Sequence, residues 1–133
     1  MRAFIAEYSV AHDPLLAPEG AAMLTVIRDS FERCGYEVVH PGHGDFLAGI
    51  RRLAPACEVG LVIAPDHLLF AFTSALEQLT HNIGCGSMNA AICANKRQSA
   101  EILARNGIAV PEEGGGGLRE VKPEQGCAAK GVR

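Results

Sequence analysis

The sequence predicts an α/β fold: a small parallel sheet flanked by helices, followed by the start of a second unit. Three observations carry that reading. Extended, β-prone runs alternate with helix-period runs from Arg2 to Gly84, as in chains whose parallel strands are joined by right-handed crossover helices. One run, EVGLVIAPD, has a nearly continuous apolar middle, the pattern of a parallel strand covered on both faces. Beyond Ser87 the rhythm changes, and the tract EEGGGG has no apolar anchor, as in a flexible joint between units.

The elements follow in order. RAFIAEY, Arg2 to Tyr8, is short and β-prone and reads as the first strand. SVAHDPLLAPEG contains two prolines and reads as a loop. From about Pro18 to Gly35 the period is helical: Met23, Ile27, Phe31 and Cys34 form the inward stripe, and Arg28, Asp29, Glu32 and Arg33 the wet face. Pro18 suits the first turn and Gly35 the stop. YEVVH is a second strand, PGHG a turn, and Asp45 caps a short helix running through Leu53.

EVGLVIAPD is the third strand. Leu69, Phe72, Leu76 and Leu79 then share one face of a helix after Asp66, and HNIGCG is a fourth short extended piece. Four strands by Gly84 complete a Rossmann-like unit, assigned to residues 1–87. In the remainder, 88–133, a capped turn leads to a second amphipathic helix ending at Gly107, with Asn95 as a cap and Ile102 and Leu103 inward. IAVP begins a short extended segment, and LREVKP is the last strand.

Composition narrows the function classes. A formal net charge of −3 and a pI near 5.9 provide no electrostatic case for nucleic acid or an anionic membrane. With two Tyr, five Phe and no Trp there is no stacking platform for bases. No apolar run approaches the ~20 residues of a membrane span, and MRAFIAEYSV turns acidic too soon for a signal peptide. The expected location is the cytoplasm. The five cysteines are scattered without a C-x-x-C pair, so they are expected to be reduced and mostly buried as small hydrophobes.

The chemistry-bearing segments are two lysines and a loop. VKPEQGCAAKGVR places Lys122 at the end of a strand, and Gly126 and Gly131 allow a turn whose amides can face an anion. A plain hairpin accounts for the same letters, and neither G-x-x-x-x-G-K-[ST] nor a G-x-G-x-x-G after the first strand is present. Lys96 stands at a helix start, where the macrodipole already favours an anion; a solvated lysine is the alternative. Glu19 follows the first strand, on the side where open α/β sheets bind ligands, and a first-turn carboxylate is the alternative there. His40 and His43 have metal-like spacing without a third ligand, so a turn is sufficient and no metal site is assigned. Cys85, before a capped helix, lacks a nameable partner for nucleophilic chemistry.

Taken together, NKRQSAEILARNGIAVPE and EVKPEQGCAAKGVR resemble the opening of an ATP-grasp fold. In that family a helix with a D-K pair ends in a G-I-x-x-P phrase, a strand delivers a V-K-P lysine, and a glycine-rich loop covers the ATP phosphates. The part up to Ser87 is similar to the pre-ATP-grasp domain. EYSVAHDPLLAPEGAAML, GYEVV, LVIAPD, NIGC and GCAAKGVR are similar to archaeal ATP-grasp enzymes of the tyramine–glutamate ligase type, from methanofuran synthesis.

The resemblance implies ATP-phosphate roles for Lys96 and Lys122 and a phosphate-covering loop of Gly126, Cys127, Ala128, Ala129, Lys130 and Gly131. The implied partners are nucleotide and small acid and amine substrates. In that reading the loop from Ser9 to Glu19, with Glu19 placed by its position after the first strand, helps to bind the acid or amine. Asn95 departs from the family's aspartate. The family's metal-binding carboxylates lie beyond the position of Arg133. The expectation is therefore an N-terminal fragment of a ligase that uses ATP and Mg²⁺ when intact, catalytically silent alone and binding neither tightly. No catalytic or metal residue is assigned within it. The alternative is a free-standing small-ligand-binding or dimerising module, with a homodimer as its assembly. A self-contained enzyme with a cysteine nucleophile is a third, weaker reading.

Overall fold

The structure, a computed structural model, describes residues 1–111. The strand LREVKP, the EEGGGG joint, Lys122 and the Gly126–Gly131 loop lie outside the described residues. Four strands, β1 (Arg2–Glu7), β2 (Glu37–Val39), β3 (Val59–Ile63) and β4 (His81–Asn82), form one sheet in the order β2-β1-β3-β4. All neighbours are parallel, with Ala3 opposite Val38 and Val59, Glu7 opposite Ile63, and Val59 opposite His81. Among the described residues six α-helices accompany them, α1 (Ser9–His12), α2 (Ala17–Arg33), α3 (Phe46–Leu53), α4 (Asp66–Glu77), α5 (Ser87–Ala94) and α6 (Lys96–Arg105), with a 3-10 turn at Ala54–Ala56. This is the predicted α/β class. No helix among the described residues is long and apolar enough to cross a membrane.

Local chemistry explains most boundaries. Pro18 lies in the first turn of α2, where its missing N–H removes no intrahelical bond. The far end closes as a Schellman motif. The Gly35 and Tyr36 amides donate to the Glu32 and Phe31 carbonyls, each at 3.0 Å, and Phe31 meets Tyr36 with ring centroids 5.4 Å apart. Gly35 has φ +82°, which a residue without a Cβ adopts without strain. Asp45 caps α3 as predicted, its carboxylate accepting from the Ala48 amide at 2.7 Å. Asn95 caps α6, accepting from the Gln98 amide at 2.9 Å. At the start of α5, Glu77 accepts from the Ser87 hydroxyl at 2.6 Å and the Ser87 amide at 2.9 Å. Those two bonds hold the Glu77 carboxyl below its ordinary value of 4.5, the hydroxyl bond contributing most.

The side-chain period of two along β1 separates two faces. Phe4 and Ala6 join Phe46, Ile50, Val62, Phe72 and Leu76 in one apolar cluster beneath α3 and α4. Tyr8 packs on the same cluster, its ring 5.3 Å from Phe46 and 5.7 Å from Phe72. Ala3, Ile5 and Glu7 point the other way, towards α2. Leu69, Phe72, Leu76 and Leu79 all pack on the core, as the helical spacing predicts.

Several expectations fail for identifiable reasons. SVAHDPLLAPEG is not a loop throughout: Ser9–His12 forms one helical turn, and α2 begins at Ala17. The prolines there stand at or before a helix start, where they break nothing. The inward stripe of α2 is Gly20, Leu24, Ile27 and Phe31, whereas Met23 is 41% exposed and Cys34 is exposed. The strand buried on both faces is β1. In β3 burial alternates, with Gly60 and Val62 buried and Val59, Leu61 and Ile63 half-buried, because α2 packs on β1 and β2 and leaves β3 less covered. The expected capped turn at Ser87 is a full helix packed on α4. Leu103 is 40% exposed, since α6 packs on α5 and buries no residue fully. Of the four described cysteines, only Cys57 is buried, and burial raises its thiol above the ordinary 9.0.

Candidate functional site in the crevice between the first and third strands

In a sheet ordered β2-β1-β3-β4, the connections after β1 and β3 leave in opposite directions. That switch point opens a crevice outside the carboxyl ends of the two strands. Here a cavity of about 200 Å³ occupies it, lined by Glu7 at the end of β1 and Ser9 just after it, by Ile63 at the end of β3 and Pro65 just after it, and by Glu19 and Met23 of α2. The Tyr8 amide donates to the Ile63 carbonyl at 2.9 Å, so the β1–β3 ladder runs to the floor of the crevice and fixes both walls.

Glu7 is the most informative side chain. It is 6% exposed, a rare environment for a carboxylate. Its Oε2 accepts from the Val10 amide at 2.7 Å, and Oε1 makes no hydrogen bond among the described residues. The first turn of α2 passes directly over it at Gly20. A Cβ at that position would collide with the Glu7 carboxyl group, so the approach of helix to strand depends on glycine. Ser9 is 5% exposed, and its hydroxyl also makes no hydrogen bond among the described residues. Both residues are buried as a whole, yet neither oxygen is among the fully buried unpaired atoms, so both oxygens reach the crevice, where water or a ligand can bond them.

Glu19 lies at the mouth of this crevice, exposed, in the first turn of α2. Glu19, singled out from its place after the first strand, is one of the residues that line this crevice. The deeper carboxylate, Glu7, was missed. An acidic residue ending an otherwise apolar first strand, AFIAE, was the available signal.

Lys96 is exposed and is the first residue of α6, directly after the Asn95 cap. α6 packs on α5 rather than on the sheet, so Lys96 and the crevice belong to separate elements. Lys122 and residues Gly126, Cys127, Ala128, Ala129, Lys130 and Gly131 lie outside the described residues. His43 lines a second cavity of about 270 Å³ with Pro41, Asp45, Gly49 and Arg52. His40 Nδ1 lies 3.2 Å from the Pro41 carbonyl oxygen. Among the described residues, no three His, Cys, Asp or Glu side chains are grouped to hold a metal ion. Cys85 and Cys93 are exposed.

Neither a protein-family model nor a curated protein matches the sequence. Among solved structures, the chain is similar to a protein of Archaeoglobus fulgidus provisionally placed in the ATP-grasp superfamily, with a TM-score of 0.77 and 22% identity. The alignment covers 96% of this chain and 48% of that one, so the chain spans about half the length of that structure. The likeness shows a shared fold, an α/β unit with a four-stranded parallel sheet flanked by helices.

Proposed function

We propose that the chain forms the leading part of an ATP-grasp carboxylate–amine ligase, of the tyramine–glutamate type that its motifs resemble. The observation that carries this is the fold shared over 96% of the chain with a protein provisionally placed in the ATP-grasp superfamily. Residues 1–87 would be the pre-ATP-grasp domain and 88–133 the start of the grasp.

In such a ligase, ATP activates a carboxylate by phosphorylation and an amine then displaces the phosphate. Lys96, at the capped start of α6, offers a point charge where the helix dipole also favours phosphate. Lys122 supplies the second charge, and the loop from Gly126 through Cys127, Ala128, Ala129 and Lys130 to Gly131 covers the phosphates. The described residues bring together no carboxylate set for Mg²⁺, so no step is assigned to the metal. Within this portion, Glu19 and the crevice beneath it hold a substrate.

Calorimetry with Mg-ATP tests the reading on the 133-residue chain. The expected result is weak binding, with a Kd on the order of 1 mM. Lys122→Ala abolishes it, and Lys96→Ala weakens it. No heat of binding at 10 mM nucleotide, for a chain that remains folded, would remove the ligase reading. A second reading, a free-standing ligand-binding or dimerising module, draws on the exposed Met23 and Val26 of α2, at 41% and 64% exposure. A stable dimer on sizing columns with no nucleotide binding is its signature.

A further inference from the structure

We propose that the crevice between β1 and β3 binds the ammonium group of a primary amine, with Glu7 as its counter-ion and Ser9 as a second acceptor. Three features of the crevice converge on that chemistry. Its charge is one-sided among the described residues: Glu7 and Glu19 line it, and no described Lys, Arg or His does. Its inner polar groups are a carboxylate oxygen and a hydroxyl that reach the crevice without a protein partner among the described residues. Glu7 is 6% and Ser9 5% exposed, and Glu7 Oε1 and Ser9 Oγ have no protein partner among the described residues. An ammonium presents three N–H donors and no acceptor. A bond from it to a carboxylate is charge-assisted, roughly twice as strong as a neutral one.

The remaining wall is apolar, with Leu16, Met23, Ile63 and Pro65 placed to cover a hydrocarbon body. A cavity of about 200 Å³ is smaller than the roughly 300–1,000 Å³ typical of sites for drug-sized ligands. It takes a small amine, or the amine end of a larger one.

Other occupants fit less well. An anionic ligand would lie against the Glu7 carboxylate without a compensating cation among the described residues. A hard divalent ion takes about six or more oxygen ligands, and this crevice offers two carboxylates. Gly20 supports a built site: α2 crosses where only a glycine clears the Glu7 carboxyl group, so the fold keeps a buried carboxylate open to the crevice. This inference deepens the ligase reading, since a carboxylate–amine ligase needs an amine site. It depends on that reading only for the statement that the bound amine is the one joined.

Titration of the chain with n-butylammonium, followed by amide chemical shifts, tests the site, with n-butanol and butyrate as matched controls. The amine is expected to shift Val10, Glu19 and Gly20 in a saturable way, and the controls are not. Glu7→Gln keeps an oxygen for the Val10 amide and removes the charge, and is expected to lower affinity by about tenfold or more. Glu19→Gln, at the exposed mouth, lowers it about twofold. Met23→Lys alters an exposed position and brings a tethered ammonium to the crevice, so it weakens amine binding without disturbing the core, even if Glu7→Gln fails to fold.

Equal shifts with n-butanol overturn the proposal. So does unchanged affinity in folded Glu7→Gln, or competitive displacement of the amine by Mg²⁺. Amine binding without ATP binding leaves this site standing and removes the ligase reading. ATP binding without amine binding does the reverse.

Discussion

The two faces of the sheet are built from the same strands yet serve different ends. Beneath α3 and α4, alternate residues of β1 and β3 meet a closed apolar cluster in which Phe4, Ile50 and Leu76 are fully buried. On the α2 side, Ala3 and Ile5 are equally buried, but the next inward residue is Glu7. There the helix passes close over the carboxyl group at Gly20, and Ile63 and Leu61 are half-covered. One face is packed to exclude water and carries stability. The other stops short of closure at the strand ends and keeps a carboxylate in reach of a small molecule. An incomplete layer at a switch point is thus a feature to search, because burial there is sacrificed for access.

Substitutions across the two faces should therefore separate stability from binding. The largest effect is expected at Leu76, fully buried and packed against Gly60. Leu76→Ala should cost about 3–4 kcal/mol in denaturant unfolding. A loss under 1 kcal/mol would show that the α3/α4 face is not the stabilising one.

Gly20→Ala comes next. Helix propensity alone would favour alanine by about 1 kcal/mol, but the new methyl meets the Glu7 carboxyl group. A net loss of about 1–3 kcal/mol is expected. In a Glu7→Ala background the same change should become neutral or stabilising. A double-mutant cycle measures that coupling.

Glu7→Gln should leave stability unchanged or raise it by up to about 1 kcal/mol, since it removes a buried charge while keeping the bond from Val10. A marked loss of stability would recast Glu7 as a structural residue rather than a site residue. The smallest effect concerns Glu77, whose carboxyl is held below 4.5 mainly by the Ser87 hydroxyl. A lowered folded value means a contribution present above 4.5 that disappears as pH falls through the folded value. The acid limb of the stability curve should therefore flatten in Glu77→Gln, with the α5 amides losing hydrogen-exchange protection first.

Legibility differed between the same two faces. Strand positions, the Asp45 and Asn95 caps, the Gly35 stop and the Leu69/Phe72/Leu76/Leu79 stripe were readable because each rests on local rules: side-chain period, cap chemistry, and φ tolerance. The helical turn at Ser9–His12 was hidden behind two prolines that mark helix starts as readily as loops. The α2 stripe was half right: Ile27 and Phe31 face inward, whereas Met23 and Cys34 are apolar by type but exposed. Glu19 pointed to the crevice through its place after the first strand. Glu7 escaped notice because a carboxylate ending a strand looks solvent-facing until the covering helix is in position.

The sequence by itself determined the succession of the four strands and the parallel α/β class. Periodicity, capping and turn chemistry act over a few residues and are therefore legible there. Tertiary structure alone decided which strand is buried on both faces and how far α2 reaches across the sheet. It also decided that Glu7, Ser9 and Glu19 share one crevice. Those outcomes depend on how helices cross the sheet, and a helix position is set by contacts between residues far apart in the chain.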